Sequence, residues 1–218
     1  MVTGLGIGCA TAAPVKLSIR DFGAVADGKT KDTAAIQKAL DTAAQNGGGE
    51  VRVPAGRYVT GSLVMKSDTT LHLEAGATLL GSSSRNDYPI VRARWEGIET
   101  NCHQALIAAS HATNIAITGA GVIEGNPVVG RLRDPRGPAV VELTECRNVR
   151  VEGITLKSFR MWTLHPTYYQ DVRISGVTFE TEGANSDGID VDSCQRVVIE
   201  GCTFTTGDDN IAIKSGKG

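Results

Sequence analysis

The chain has 218 residues, enough for one domain with a substantial buried core. Its formal net charge of −2 leaves no basic field for nucleic acid, and no apolar run reaches the roughly 20 residues of a membrane-spanning helix. An apolar content of 41% belongs to a folded protein, and 26 glycines beside only 5% aromatic residues point to many short strands and tight turns.

The start, MVTGLGIGCATAAPVK, is small and apolar and contains an A-x-A-like stretch, Ala10-Thr11-Ala12. It is similar to the back half of a secretory signal without the positive n-region. Residues 1–15 are therefore read as a signal-peptide remnant or a loose N-terminus, and secretion or export to a periplasm is expected. Cys9 fits a lipid-attachment pattern poorly. The other cysteines are Cys102, Cys146, Cys194 and Cys202, so the odd total gives no clean disulfide framework. No CxxC or HExxH spacing suggests a structural zinc site.

One segment has helical periodicity. In KTKDTAAIQKALDTAAQNGGG, Asp32 is a candidate N-cap, Ile36, Ala39, Leu40 and Ala43 fall on one face, and Gly47 begins the stop. From there the pattern alternates as strand, and it repeats. NIAITGAGVIEG (114–125), NVRVEGITLKSF (148–159), DVRISGVTFETE (171–182) and RVVIEGCTFTTG (196–207) align without gaps. Each carries apolar residues at its second and fourth places and glycine at its sixth, namely Gly119, Gly153, Gly176 and Gly201. Those glycines are 34, 23 and 25 residues apart. GEVRVPAGRYV and TTLHLEAGATLLGS are weaker earlier copies. Such a repeat predicts an all-β chain, a right-handed parallel β-helix over residues 16–218, with the helix at 32–46 capping its N-terminal end. The spacing of a leucine-rich horseshoe is absent.

Two acidic clusters follow, NSDGIDVDSC (185–194) and TGDDNIAIKSG (206–216). Asp187 and Asp208 are 21 residues apart, about one coil. Stacked coils are spaced by roughly 4.8 Å, so Asp187 is expected beside Asp208 and Asp209. Like charges at that distance raise the pKa of at least one carboxyl, which separates an acid from a base. Alone, a GDD stretch is an ordinary turn, and a Ca²⁺ site built on hard oxygen ligands is a lesser alternative. Asp190 and Asp192 alternate along a strand and are expected to face outward.

These clusters resemble those of glycoside hydrolase family 28, the polygalacturonases and their relatives. The opening IRDFGAVADGKTKDTAAIQKALDTAA with VRVPAGRYVTGSL is similar to that of many pectin-active β-helix proteins, while RWEGIE (94–99) and WTLHP (162–166) are closer to this family. The family's N-T-D motif falls on Asn185, Ser186 and Asp187, with serine in place of threonine, and its D-D pair on Asp208 and Asp209. The resemblance implies hydrolysis of α-1,4-galacturonosyl linkages in pectin or polygalacturonate with inversion. Asp208 would protonate the leaving oxygen, and Asp187 and Asp209 would activate water. Asn185, Lys214 and His165 are the expected substrate-binding residues, and Trp162 is expected at the cleft. No cofactor and no metal are expected. The implied partner is an anionic pectic polysaccharide, with no nucleic acid, no membrane and a monomeric chain.

One departure bears on this. The family continues into G-H-G and R-I-K motifs, and the chain ends at Gly218 before either. A β-helix incomplete at its C-terminus, the N-terminal part of a longer product, is the expectation. The alternatives are a rhamnogalacturonan-directed or exo-acting relative, and a non-catalytic polysaccharide-binding β-helix or inactive fragment. A pectate lyase lacks an evident base for proton abstraction.

Overall fold

The computed structural model describes residues 14–216. The chain winds as a right-handed parallel β-helix, with each coil after the first adding one strand to each of three sheets. The first sheet stacks Val15–Ser18, Gly49–Val53, Thr69–Leu73, Thr113–Gly119, Arg147–Glu152, Gln170–Ser175 and Gln195–Glu200. The second stacks seven strands from Asp27–Lys31 to Thr203–Thr205. The third stacks Leu63–Val64, Ile107–Ser110, Val141–Thr144, Leu164–Thr167, Ile189–Asp192 and Ile211–Lys214. Val15 already belongs to the first strand, inside the segment assigned from sequence to the tail. Ala10-Thr11-Ala12 and Cys9 lie outside the described residues.

Each of the four aligned segments forms a strand of the first sheet in its first half and a strand of the second sheet in its second half. Their apolar places are in register, Ile115 on Val149 on Val172 on Val197 and Ile117 on Val151 on Ile174 on Ile199. The weaker copies join the same column, Val51 on Leu71 on Ile117. Period-2 alternation sends these side chains into one continuous core. The repeat also has a conformational meaning at its first and sixth places. Its first residues, Asn114, Asn148, Asp171 and Arg196, all have left-handed backbone, and so do its glycines. At Gly153, with φ of 74°, a Cβ would stand 2.6 Å from the Gly119 carbonyl oxygen of the coil before, so only glycine closes that corner.

The helix α1 spans Thr33–Gln45 and buries Ile36, Ala39, Leu40 and Ala43 against the first coil. Asp32 sits at its N-cap position, but its side chain does not cap. Its carboxylate instead accepts from the backbone N–H groups of Val25 (2.7 Å) and Ala26 (3.2 Å), because the preceding loop offers unpaired donors closer than the helix does. At the other end Gly48 N–H donates to Ala43 O and Gly47 N–H to Ala44 O, a Schellman stop. The Gln37 side chain donates to Val64 O (3.0 Å) and accepts from Val64 N–H (2.8 Å). Leu63–Val64 is the edge strand of the third sheet, so an amide on the helix completes that edge.

Two insertions interrupt the winding. An antiparallel hairpin, Ile90–Trp95 with Ile98–His103, projects between the second and third sheets. Its turn residues Glu96 and Gly97 both have positive φ, as a two-residue turn of the primed type requires. The second insertion contains the short helix α2, Pro127–Gly130, and the loop that follows it. It accounts for the 34-residue interval, and register is preserved across it. Cys102, Cys146, Cys194 and Cys202 are free.

Candidate active site

The outward face of the third sheet carries polar residues where an ordinary solvated face would be expected. Register aligns Glu142 with His165 and Thr144 with Thr167, and then Thr167 with Asp192 and Asp192 with Lys214. Asp190 and Asp192 do point out of the solenoid, but both are completely buried. Each is covered by a cation. Arg94, from the hairpin, bonds Asp192 Oδ2 through Nε at 2.8 Å. Lys214 Nζ lies 2.8 Å from Asp190 Oδ1 and 3.7 Å from Asp187 Oδ2. The same ammonium sits 4.6 Å from the centre of the Trp162 ring.

The two acidic clusters occupy equivalent turns of neighbouring coils, each between a strand of the second sheet and one of the third. Gly188 N–H donates to Asp209 O (2.9 Å) and Ile189 N–H to Asn210 O (3.1 Å). Ile189 is in register with Ile211, which brings Asp187 level with Asp209. Asp208 reaches back to the previous coil, where its Oδ2 accepts from the Asn185 N–H at 2.9 Å. A Cβ on Gly188 would stand 2.6 Å from the Asn210 carbonyl, so glycine permits this close approach. Ser186, where the family motif has threonine, donates its hydroxyl to Gly183 O and closes the turn beneath Asp187. Stacking thus gathers Asp187, Asp208, Asp209 and Asn185 as expected, with Lys214 beside them.

Electrostatics differ from the expectation in origin. Burial is the main cause that raises the Asp187 carboxyl, with Asp208 and Asp209 adding to it, while Asp190 and Lys214 pull it down. Asp190 is pushed up to about 8, first by burial and then by the Asp187 charge, against the pull of Lys214. For Lys214 burial opposes the charged form, but Asp190, Asp187 and Asp209 outweigh it and hold the ammonium above the ordinary lysine value. Asp208 and Asp209 are exposed on the last coil. The site therefore has two buried carboxyls, Asp187 and Asp190, at its floor and two exposed ones, Asp208 and Asp209, at its mouth.

His165 is enclosed rather than open to the cleft. One ring nitrogen lies 2.9 Å from Thr167 Oγ1, the other 3.6 Å from Glu142 Oε1, and the ring meets Trp162 edge-on at 4.8 Å. Trp162 in turn stacks on Trp95 at 3.9 Å, and the Arg136 guanidinium covers Trp95 at 3.6 Å. Sequence reasoning did not single out Arg94, Trp95, Arg133 or Arg136. The Glu96-Gly97 pair between two alternating stretches was the available signal for the hairpin that carries the first two. A pocket of about 360 Å³ lies between that turn and Lys214–Gly216. A hollow of about 560 Å³ along His111, Glu145, Arg147 and Tyr168 is larger but contains none of the clustered aspartates. Among the described residues, no group of three or more His, Cys, Asp or Glu is arranged to hold a metal ion.

Comparison with known proteins places this geometry in a lineage. Residues 44–218 match the family described as Glycosyl hydrolases family 28. A probable polygalacturonase of Vitis vinifera is 33% identical over 217 residues, covering 91% of this chain and 44% of its own length. An exo-poly-alpha-D-galacturonosidase of Dickeya chrysanthemi is 29% identical over 262 residues, covering 95% of this chain and 43% of its own. The hyperthermoactive exopolygalacturonase of Thermotoga maritima superposes with a TM-score of 0.85 at 31% identity, over 94% of this chain and 55% of that one. The chain thus spans less than half the length of the curated relatives it matches. With the family matched across its repeats and both aspartate clusters, the chain belongs to glycosyl hydrolases family 28.

Proposed function

We propose that the chain carries the acid–base centre of a galacturonan hydrolase that cleaves α-1,4 linkages with inversion. The observation that supports this best is the convergence of Asp187, Asp208 and Asp209 from two coils, with Asp208 held by the Asn185 N–H, in a chain whose relatives are named polygalacturonases. Asp208 stands at the open mouth, where a leaving glycosidic oxygen can reach it, and acts as the acid. Asp187 and Asp209, level with each other on adjacent coils, hold and deprotonate the attacking water. Lys214 adds positive charge for a uronate, and Asn185 fixes Asp208. The substrate is an anionic pectic polysaccharide met outside the cytoplasm by a monomeric, exported enzyme, with residues 16–218 forming one β-helical domain.

Reducing-sugar release from polygalacturonate tests the reading, with Asp208→Asn as the paired variant. Release should fall by about 10²- to 10⁴-fold while the fold is retained, the range that a positioned acid supplies. Undiminished release from Asp208→Asn would overturn the role. Binding without turnover in both chains would favour the polysaccharide-binding alternative.

The exo-acting alternative is favoured by a specific feature. The hairpin lies over the third sheet, fastened by Arg94 to Asp192 and by Trp95 to Trp162, and its turn borders the pocket beside Lys214. A groove obstructed there admits a chain end more readily than a chain middle. Product analysis should then show monomer from the first time point; an early spread of lengths would show that the hairpin does not obstruct the groove.

A further inference from the structure

A pair of arginines stands beside the acid cluster with little negative charge to balance it. Arg133 is exposed, and its guanidinium donates to a neutral partner, the Asn185 side-chain oxygen, at 3.3 Å. Among the described residues, no carboxylate lies within 4 Å of Arg133. Arg136 bridges Arg133 across an antiparallel backbone pair, which sets the two side chains on one side of the turn. Its guanidinium is stacked on Trp95, and the nearest carboxylate oxygen, from the half-exposed Glu96, is 3.9 Å away. Like charges directly opposite one another are unfavourable unless an anion joins them. Burial and then the Arg133 charge both work against the Arg136 cation.

The placement gives this pair a use. The Asn185 N–H donates to Asp208 while its side chain accepts from Arg133, so one residue links the acid to the first arginine. Guanidinium groups present forked donors that match a carboxylate, and Arg136 is already oriented by its aromatic platform. We infer that Arg133 and Arg136 form a carboxylate-binding subsite for the galacturonosyl unit next to the bond being cleaved. This rests on the galacturonan reading and extends it to residues upstream of both acidic clusters. The subsite selects the free acid over its methyl ester, because an ester offers the arginines no charge and only one good acceptor, its carbonyl oxygen.

Calorimetric titration of the Asp208→Asn chain tests this without consuming the ligand. The probes are trigalacturonate and its fully methyl-esterified form. Adding Arg133→Gln should weaken trigalacturonate binding about tenfold, the effect of one charge-assisted contact, and leave the ester's affinity unchanged. Arg133→Lys should recover part of the difference. Arg133 is exposed, so its replacement should not disturb folding, which a thermal melt checks; Arg136, packed on Trp95, is left intact. An unchanged preference for the acid in Arg133→Gln would overturn the subsite while leaving the galacturonan reading in place. Failure of the Asp208→Asn chain to bind trigalacturonate at all would overturn both.

Discussion

Asp190 shows how a single buried carboxyl can shape the pH response of the protein. Its pKa is raised from the ordinary aspartate range to about 8, with burial as the first cause. An acid with a raised folded-state pKa holds a proton that the unfolded chain has already released. Stability therefore falls as pH climbs from about 4 to about 8, by at most roughly 1.4 kcal/mol per pH unit, and levels off above that window. Asp190→Asn removes this slope while keeping the shape of the side chain. Urea melts at several pH values should show the difference between variant and parent moving in the variant's favour across the window; parallel pH profiles would count against it. Sequence alone placed Asp190 on the outer face and made Asp187, Asp208 and Asp209 neighbours, because both follow from period and coil length. It could not show that the hairpin covers that face, since the hairpin's residues obey neither period. The same limit explains His165, whose ring is closed off by a stacked tryptophan pair rather than by its own strand.

At the level of elements, the repeats were legible because each copy meets the same two demands. An apolar pair must enter the core, and left-handed corners must close the coil, which explains both the glycines and the unusual Asn, Asp and Arg positions with positive φ. The helix was legible for its apolar face, but not for the role of Asp32, whose partners lie in the loop before it. The hairpin was not read at all, although it holds half of the covering residues. Its main anchor is the buried Arg94–Asp192 pair, supplemented by Arg94 against Tyr168. Arg94→Leu leaves Asp192 buried with only the Ser193 hydroxyl as a partner and should cost about 3–5 kcal/mol in chemical denaturation. Pairing it with Asp192→Leu should recover most of that loss, because the uncompensated charge disappears. A cost below about 1 kcal/mol for the single variant would mean that the pair is effectively solvated.

Across the whole molecule, stability should be graded along the solenoid axis, since each coil touches only its neighbours. The last described coil is the thinnest layer: Ile211 and Ile213, in the inward column of the third sheet, are exposed, and Phe204 stacks on Phe179 from one side only. Hydrogen exchange in this chain should accordingly be faster at Ile211–Lys214 than at Leu164–Thr167. Phe204→Ala should accelerate the first group and spare the second, whereas Phe179→Ala, a fully buried site costing about 3–5 kcal/mol, should accelerate both. Equal acceleration in the two variants would point to all-or-none unfolding of the solenoid.

The hairpin, the loop holding Arg133 and Arg136, Trp162 and both aspartate clusters all emerge at one corner of the coil, between the second and third sheets. The other two corners keep nearly constant length, and they alone set which residue stacks on which. Length added at this corner therefore leaves the vertical alignment of Asp187 with Asp209 untouched, as the α2 insertion leaves the Ile117–Val151 pairing untouched. Such an architecture gives inheritance two separate dials. Deleting or duplicating part of a strand would scramble the alignment of the aspartates, while lengthening a loop at this corner reshapes the groove above an unchanged set of carboxyls. The surface around the aspartates can then diversify by insertion, one loop at a time, without disturbing how they stack.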